Sequence, residues 1–209
     1  MPRSARTSSF DHRAKHAPRP ASLQARWRWS AERGYNKLMK KVLVLGCSGA
    51  GKSTLARQIS GITGLPVIHL DRHYWRPGWQ EPDRATWEWE VAALVRQPQW
   101  VMDGNFGGTL PARLAAADTA VFLDFRTWRC LARVLRRIVG SLGRVRPDMA
   151  PGCPERLDFA FLLYVCRYRR RDRHRHLAAV REFSGTLVVL RRPAEVAAFV
   201  GGLKQETSP

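Results

Sequence analysis

The sequence predicts an α/β fold, a mostly parallel sheet of five strands with helices on both faces. Three observations predict it. Short apolar runs at 41–45, 67–70, 100–103, 119–124 and 186–190 alternate with segments of helical periodicity. The first run leads straight into Gly46-Cys47-Ser48-Gly49-Ala50-Gly51-Lys52-Ser53, which fits the phosphate-loop pattern G-x-x-x-x-G-K-[ST]. Asp71, Asp103, Asp124 and Arg126 then fall at or just beyond strand ends, where such sheets bind ligands.

Each element has its own signal. Lys-Val-Leu-Val-Leu at 41–45 reads as a buried first strand. The segment 54–63 carries Leu55, Ile59 and Ile62 on one helical face. Gly64-Leu65-Pro66 breaks that helix, and a second strand ends at Asp71. Next comes a loop dense in aromatics and cations, from Arg72 through Tyr74 and Trp75 to Trp79. Asp83 can cap a helix whose Trp87, Val91, Leu94 and Val95 share a face. A third strand closes at Gly104-Asn105, a short helix covers 110–116, and a fourth strand ends at Asp124. Thr127 is placed as the cap of a helix with Leu131, Val134, Leu135 and Ile138 on one side and Arg129, Arg133, Arg136 and Arg137 on the other. Like charges at that spacing repel, so an all-arginine stripe favours an anionic partner. The segment from 158 to about 175 reads as an arginine-rich helix, a last helix precedes the next strand, and 186–190 reads as the fifth strand. Val196, Phe199, Val200 and Leu203 make a closing amphipathic helix.

The phosphate loop sets the chemistry. Its glycines let backbone N–H groups approach phosphates, and the following helix adds a positive N-terminus. Gly46, Ser48, Gly49, Ala50, Gly51, Lys52, Ser53 and Thr54 are the candidate nucleotide-binding residues. Lys52 is expected to reach the β- and γ-phosphates and Ser53 to bind Mg²⁺.

Composition bounds the partners. The chain has 209 residues, 44% hydrophobic, with a net charge of +19. That charge points to polyanions: nucleic acid, phosphorylated small molecules or an anionic membrane surface. No apolar run approaches the roughly 18 residues of a membrane span. Cys47, Cys130, Cys153 and Cys166 form no C-x-x-C pair, which argues against zinc and for free thiols in a reducing cytoplasm. Residues 1–38 read as a basic, disordered extension. A nucleic-acid arm, a transit peptide and a true start at Met39 are the alternatives. The domain proper is expected over 39–209.

With the segments placed, the chain resembles the P-loop "DNA topology modulation protein" group, small proteins related to adenylate kinases. The resemblance rests on the phosphate loop, Leu65-Pro66-Val67-Ile68-His69-Leu70-Asp71, Trp75-Arg76-Pro77-Gly78-Trp79, Trp100-Val101-Met102-Asp103-Gly104-Asn105-Phe106, Phe122-Leu123-Asp124-Phe125, Arg146-Pro147-Asp148-Met149 and Gly152-Cys153-Pro154-Glu155-Arg156. It covers about residues 40–200. It implies a three-layer P-loop NTPase with strand order 2-3-1-4-5, ATP with Mg²⁺, and an arginine-rich helical lid over about 126–175. Asp103-Gly104 matches the start of the adenylate-kinase D-G-F-P-R signature, but Asn105-Phe106-Gly107 replaces its arginine, which counts against AMP as acceptor.

Roles follow. Asp103 is the candidate carboxylate of the Mg²⁺ shell, with a turn cap as its plainer role. Asp71 can orient or deprotonate an acceptor hydroxyl, or simply end a strand. Arg126, Arg129, Arg133 and Arg137 are lid candidates for clamping the transferring phosphoryl group, and which of them does so stays open. Tyr74, Trp75 and Trp79 either stack on an acceptor or pack their own loop. The expected activity is a kinase-like phosphotransferase moving the γ-phosphoryl of ATP to an unidentified small acceptor. The alternatives are a nucleotide-gated DNA-binding factor with weak, non-specific affinity, or a slow ATPase.

Overall fold

The computed structural model describes residues 39–207, so every expectation for residues 1–38 lies outside the described residues. Five strands, β1 (Lys41–Gly46), β2 (Val67–His69), β3 (Trp100–Asp103), β4 (Thr119–Leu123) and β5 (Thr186–Leu190), form one sheet. Its order is β2-β3-β1-β4-β5, and every pairing is parallel. This is the expected order. β3 and β4 are buried at every position and β1 at all but Lys41, the mark of strands covered on both faces.

Alternation along β1 divides the core. Val42 and Val44 point to one face and Leu43 and Leu45 to the other. On the first face lie α1 (Lys52–Thr63), α5 (Thr127–Ser141), α6 (Phe159–Arg171) and α8 (Pro193–Thr207), through Leu55, Ile59, Val134, Val165 and Phe199. On the second lie α3 (Arg84–Arg96), α4 (Leu110–Ala116) and α7 (Arg173–Arg181), through Trp87, Val91, Leu114 and Val180. The remaining helix, α2 (Leu70–Tyr74), is a single turn and a half directly after β2. Local signals explain several ends. Asp83 accepts from the Thr86 backbone N–H at 2.9 Å to start α3. Gly64, at φ 74°, ends α1 with its N–H on the Ser60 carbonyl.

Three local readings differ from expectation. Asp71 sits in the first turn of α2 rather than on a strand end. Thr127 opens α5, while the residue in N-cap geometry is Arg126, with no side-chain cap. The helix expected from 158 to about 175 ends at Arg171, and the one before the fifth strand starts already at Arg173, so the two part at Asp172. No helix-breaking residue marks that point. The chain turns there because α6 buries Val165 and Tyr168 on one face of the sheet and α7 buries Val180 on the other.

Candidate functional site

The phosphate loop lies between β1 and α1 at the carboxyl ends of the central strands. Two of its glycines are sterically required. A Cβ on Gly46 would stand 2.7 Å from the Leu123 carbonyl, and one on Gly49 would stand 2.3 Å from the Cys130 carbonyl. Gly51, at φ 98°, is the N-cap of α1 and has no side-chain cap, so the helix presents open backbone donors. Lys52 Nζ donates to the Cys47 carbonyl at 3.4 Å, which folds the ammonium over the loop.

Strand register sets the next layer. His69, Asp103 and Val44 are neighbours across β2, β3 and β1. Asp103, 4% exposed, accepts from Ser53 Oγ at 2.6 Å, and its other oxygen lies 2.6 Å from His69 Nδ1. The structure therefore brings the two expected Mg²⁺ residues together. Among the described residues no three His, Cys, Asp or Glu side chains gather at metal spacing. One hydroxyl and one carboxylate, completed by phosphate oxygens and water, suit a hard cation that arrives with a nucleotide.

Asp71 faces the same space. Burial raises its pKa, nearby Asp103 and Asp148 push the same way, and Lys52 and Arg146 counter them. Asp148 behaves oppositely. Burial alone would raise it, but Arg146 and the Ser53 hydroxyl outweigh burial and hold it below the usual carboxylate range. Arg146 Nη1 donates to both Asp148 oxygens, at 3.1 and 3.0 Å. Its Nε lies 2.7 Å from Glu155 Oε2 as an ion pair outside hydrogen-bond geometry. Arg137 Nη2 donates to Glu155 Oε1 at 3.1 Å, and Arg133 Nη1 donates to the Ala50 carbonyl of the loop at 3.0 Å.

A cavity of about 1640 Å³ is lined by the phosphate loop, Asp71, Arg146, Asp148 and Glu155, with Asp103 and His69 off its wall. Arg133 and Arg137 line it; Arg126 and Arg129 do not. Arg126 is exposed at the start of α5, and Arg129 lies 4.9 Å over the Trp128 ring. Trp75 and Trp79 line the cavity yet are held by their own loop. Their rings meet edge to face at 5.3 Å, and Trp79 Nε1 donates to the Pro154 carbonyl at 3.1 Å. Tyr74 packs against Trp75, Trp87 and Phe106. Asp124 is structural: Arg173 grips both its oxygens at 2.6 Å. All four cysteines are free.

Sequence reasoning assigned no role to several residues that shape the site. Arg113, fully buried in α4, donates to the carbonyls of Gly104, Asn105 and Phe106. Burial pushes its pKa down to about 9. Asn105 Oδ1 then accepts from the Gly46 N–H at 3.3 Å, tying that turn to the phosphate loop. Arg146, Asp148 and Glu155 belong to the motifs of the family resemblance but carried no assigned task. The only signal for Arg113 was a lone charge on an otherwise apolar short helix.

A parallel sheet ordered 2-3-1-4-5, with this loop at its centre and helices on both faces, defines a P-loop protein with a kinase-like three-layer fold. No protein-family profile and no curated protein matches the sequence. Among solved structures the chain is similar to shikimate kinase from Acinetobacter baumannii in complex with shikimate, at 16% identity over 80% of this chain and 92% of that one, with a TM-score of 0.46. It is similar to a gluconokinase from Sinorhizobium meliloti 1021, at 16% identity over 80% and 91%, with a TM-score of 0.45. It is also similar to deoxyadenosine kinase from M. mycoides with bound dCTP, at 9% identity over 78% and 98%, with a TM-score of 0.43. Likeness at this level carries nothing about the reaction. Among the described residues no helix is long and apolar enough to cross a membrane.

Proposed function

We propose that this protein is an ATP-dependent phosphotransferase that moves the γ-phosphoryl group to a hydroxyl of a small acceptor. The observation that carries this reading is the continuous cavity lined both by the phosphate loop and by Asp71, Trp75 and Trp79. Residues 46–54 bind the nucleotide phosphates through backbone N–H groups, and Lys52 leaves the Cys47 carbonyl for the phosphate oxygens. Ser53 and Asp103 would hold the Mg²⁺ that comes with the nucleotide, which would supply charge neutralisation. Asp71 takes the acceptor proton, and its raised pKa suits a base. Arg133 and Arg137, already at the cavity wall, stabilise charge on the transferring group. Within the expected lid segment 126–175, the part that closes is the loop 142–158 between α5 and α6, which brings Arg146 and Glu155 to the cavity.

The resemblance to the DNA topology modulation group gains support from convergence. Motifs far apart in sequence, at Trp75, Asn105, Arg146 and Glu155, all line one cavity. Nucleotide-gated DNA binding is the second reading. Exposed Arg167, Arg170 and Arg171, outside every ion pair of the described residues, favour it.

The test is ADP formation by the full chain with Mg-ATP and a panel of sugars, polyols, hydroxy acids and nucleosides. One acceptor is expected to raise turnover well above background. Lys52→Ala and Asp71→Asn are each expected to cut that turnover by at least about 10²-fold. Turnover that stays slow with every acceptor, beside duplex-DNA affinity that changes with ATP, would replace this reading with the second one.

A further inference from the structure

Helix α5 carries more apolar surface than the fold covers. Cys130, Val134 and Ile138 face the core and are buried. Arg136, Arg129, Arg133 and Arg137 follow one another around the polar side. Between these sides lies a third arc formed by Leu142, Leu135, Trp128 and Val139. It is open, at 62%, 42%, 59% and 83% exposure. Leu135, expected in the core with Val134 and Ile138, therefore belongs to an outer face instead. Between Phe125 and Pro147 the sequence holds Arg126, Arg129, Arg133, Arg136, Arg137, Arg144 and Arg146 and no acidic residue. Among the described residues, Arg129 and Arg136 make no ion pair.

Contiguous apolar surface of this kind marks an interaction site. Charge selects the occupant. A second copy of the chain would set one arginine stripe against another. Residues 1–38, with Arg and Lys far in excess of Asp11 and Glu32, would repel the face as well. An anionic bilayer complements both features: aliphatic side chains and an indole enter the headgroup–acyl boundary, and guanidinium groups stay among the phosphates. We propose that α5 docks on anionic phospholipid surfaces through Trp128, Leu135, Val139 and Leu142, with Arg129 and Arg136 at headgroup level. The cavity arginines Arg133 and Arg137 lie farther round the helix, so docking leaves them facing the cavity.

Vesicle flotation with the full chain tests this. Vesicles of phosphatidylcholine with about 30 mol% phosphatidylglycerol are expected to carry the protein, and phosphatidylcholine alone is not. Val139→Asp should weaken binding at least about tenfold and Arg136→Glu by roughly fivefold or more, with thermal melting unchanged because both sites are exposed. Arg136→Gln gives a second reading if the charge reversal disturbs folding. Binding that Val139→Asp leaves intact would belong to residues 1–38 or another basic surface and would overturn the proposal. So would a dimer dispersed by Val139→Asp without any vesicle binding.

Discussion

Arg113 shows how one residue can set a site without touching a ligand. A fully buried guanidinium is costly to desolvate, and among the described residues this one has no carboxylate partner. What holds it is three backbone carbonyls at the turn after β3. That turn aims Asn105 at Gly46. Arg113→Met keeps the bulk and strands those carbonyls, so we expect stability to fall by about 3 kcal/mol, roughly 6–12 °C in melting temperature. Unchanged melting would show that the turn holds itself. Asp71 carries the opposite tension. Its folded pKa is raised by burial, so the unfolded chain loses that proton at lower pH than the folded chain does. The ionised group therefore costs stability as pH rises above the ordinary carboxylate range. Asp71→Asn should raise the melting temperature at pH 7 while it removes acceptor turnover, and a lower melting temperature would contradict the assignment. Asp71 was legible because it follows an apolar strand. Arg113 was not, because its partners are backbone groups that no sequence pattern exposes.

At the scale of elements, the joint between the phosphate loop and α5 has the least room. A Cβ on Gly49 would press the Cys130 carbonyl and lie 2.8 Å from Val134 Cγ2, and Gly49 also adopts φ 82°. Backbone can yield only by moving α5 away from the loop. Gly49→Ala should cost about 3 kcal/mol and weaken nucleotide binding together. Gly61 is the control. It lies within α1, and a Cβ there would meet nothing within 4 Å, so Gly61→Ala should stabilise by roughly 0.5–1 kcal/mol. Chemical denaturation of both variants checks the pair, and equal effects would refute the argument from space. Gly49 falls at a position that the loop pattern leaves open, so its tight fit against α5 was not legible, whereas helix α5 was readable from its periodicity. The buried side of α5 differs from expectation at Leu135, since an amphipathic wheel gives an apolar arc but not how much of it the neighbours cover. The break at Asp172 was expected a few residues later for a related reason: Arg and His continue a helix well enough, and only tertiary burial of Val165 and Val180 on opposite faces of the sheet sets where it divides.

For the whole molecule, the change from α6 to α7 is also where pH acts on stability. Tyr168 and His176 meet across that break, hydroxyl to Nδ1 at 2.9 Å, with both residues buried. Burial holds His176 down to about 4, against an ordinary value of 6.5. Between those values the unfolded chain takes up a proton that the folded chain refuses. The folded state therefore loses stability as pH falls from 6.5 toward 4, by on the order of 3 kcal/mol at full extent. Above pH 6.5 the histidine is neutral in both states and contributes no slope. Because His176 packs on the α6–α7 connection that spans both faces of the sheet, the loss should appear in global unfolding and not only in local opening. Urea titrations at a series of pH values between about 4.5 and 7.5 measure it. Relative to the parent chain, His176→Gln should flatten the acid side of the profile, leaving the slope contributed by carboxylates. An identical profile in both proteins would mean that His176 takes up its proton while folded, as an imidazole open to water would.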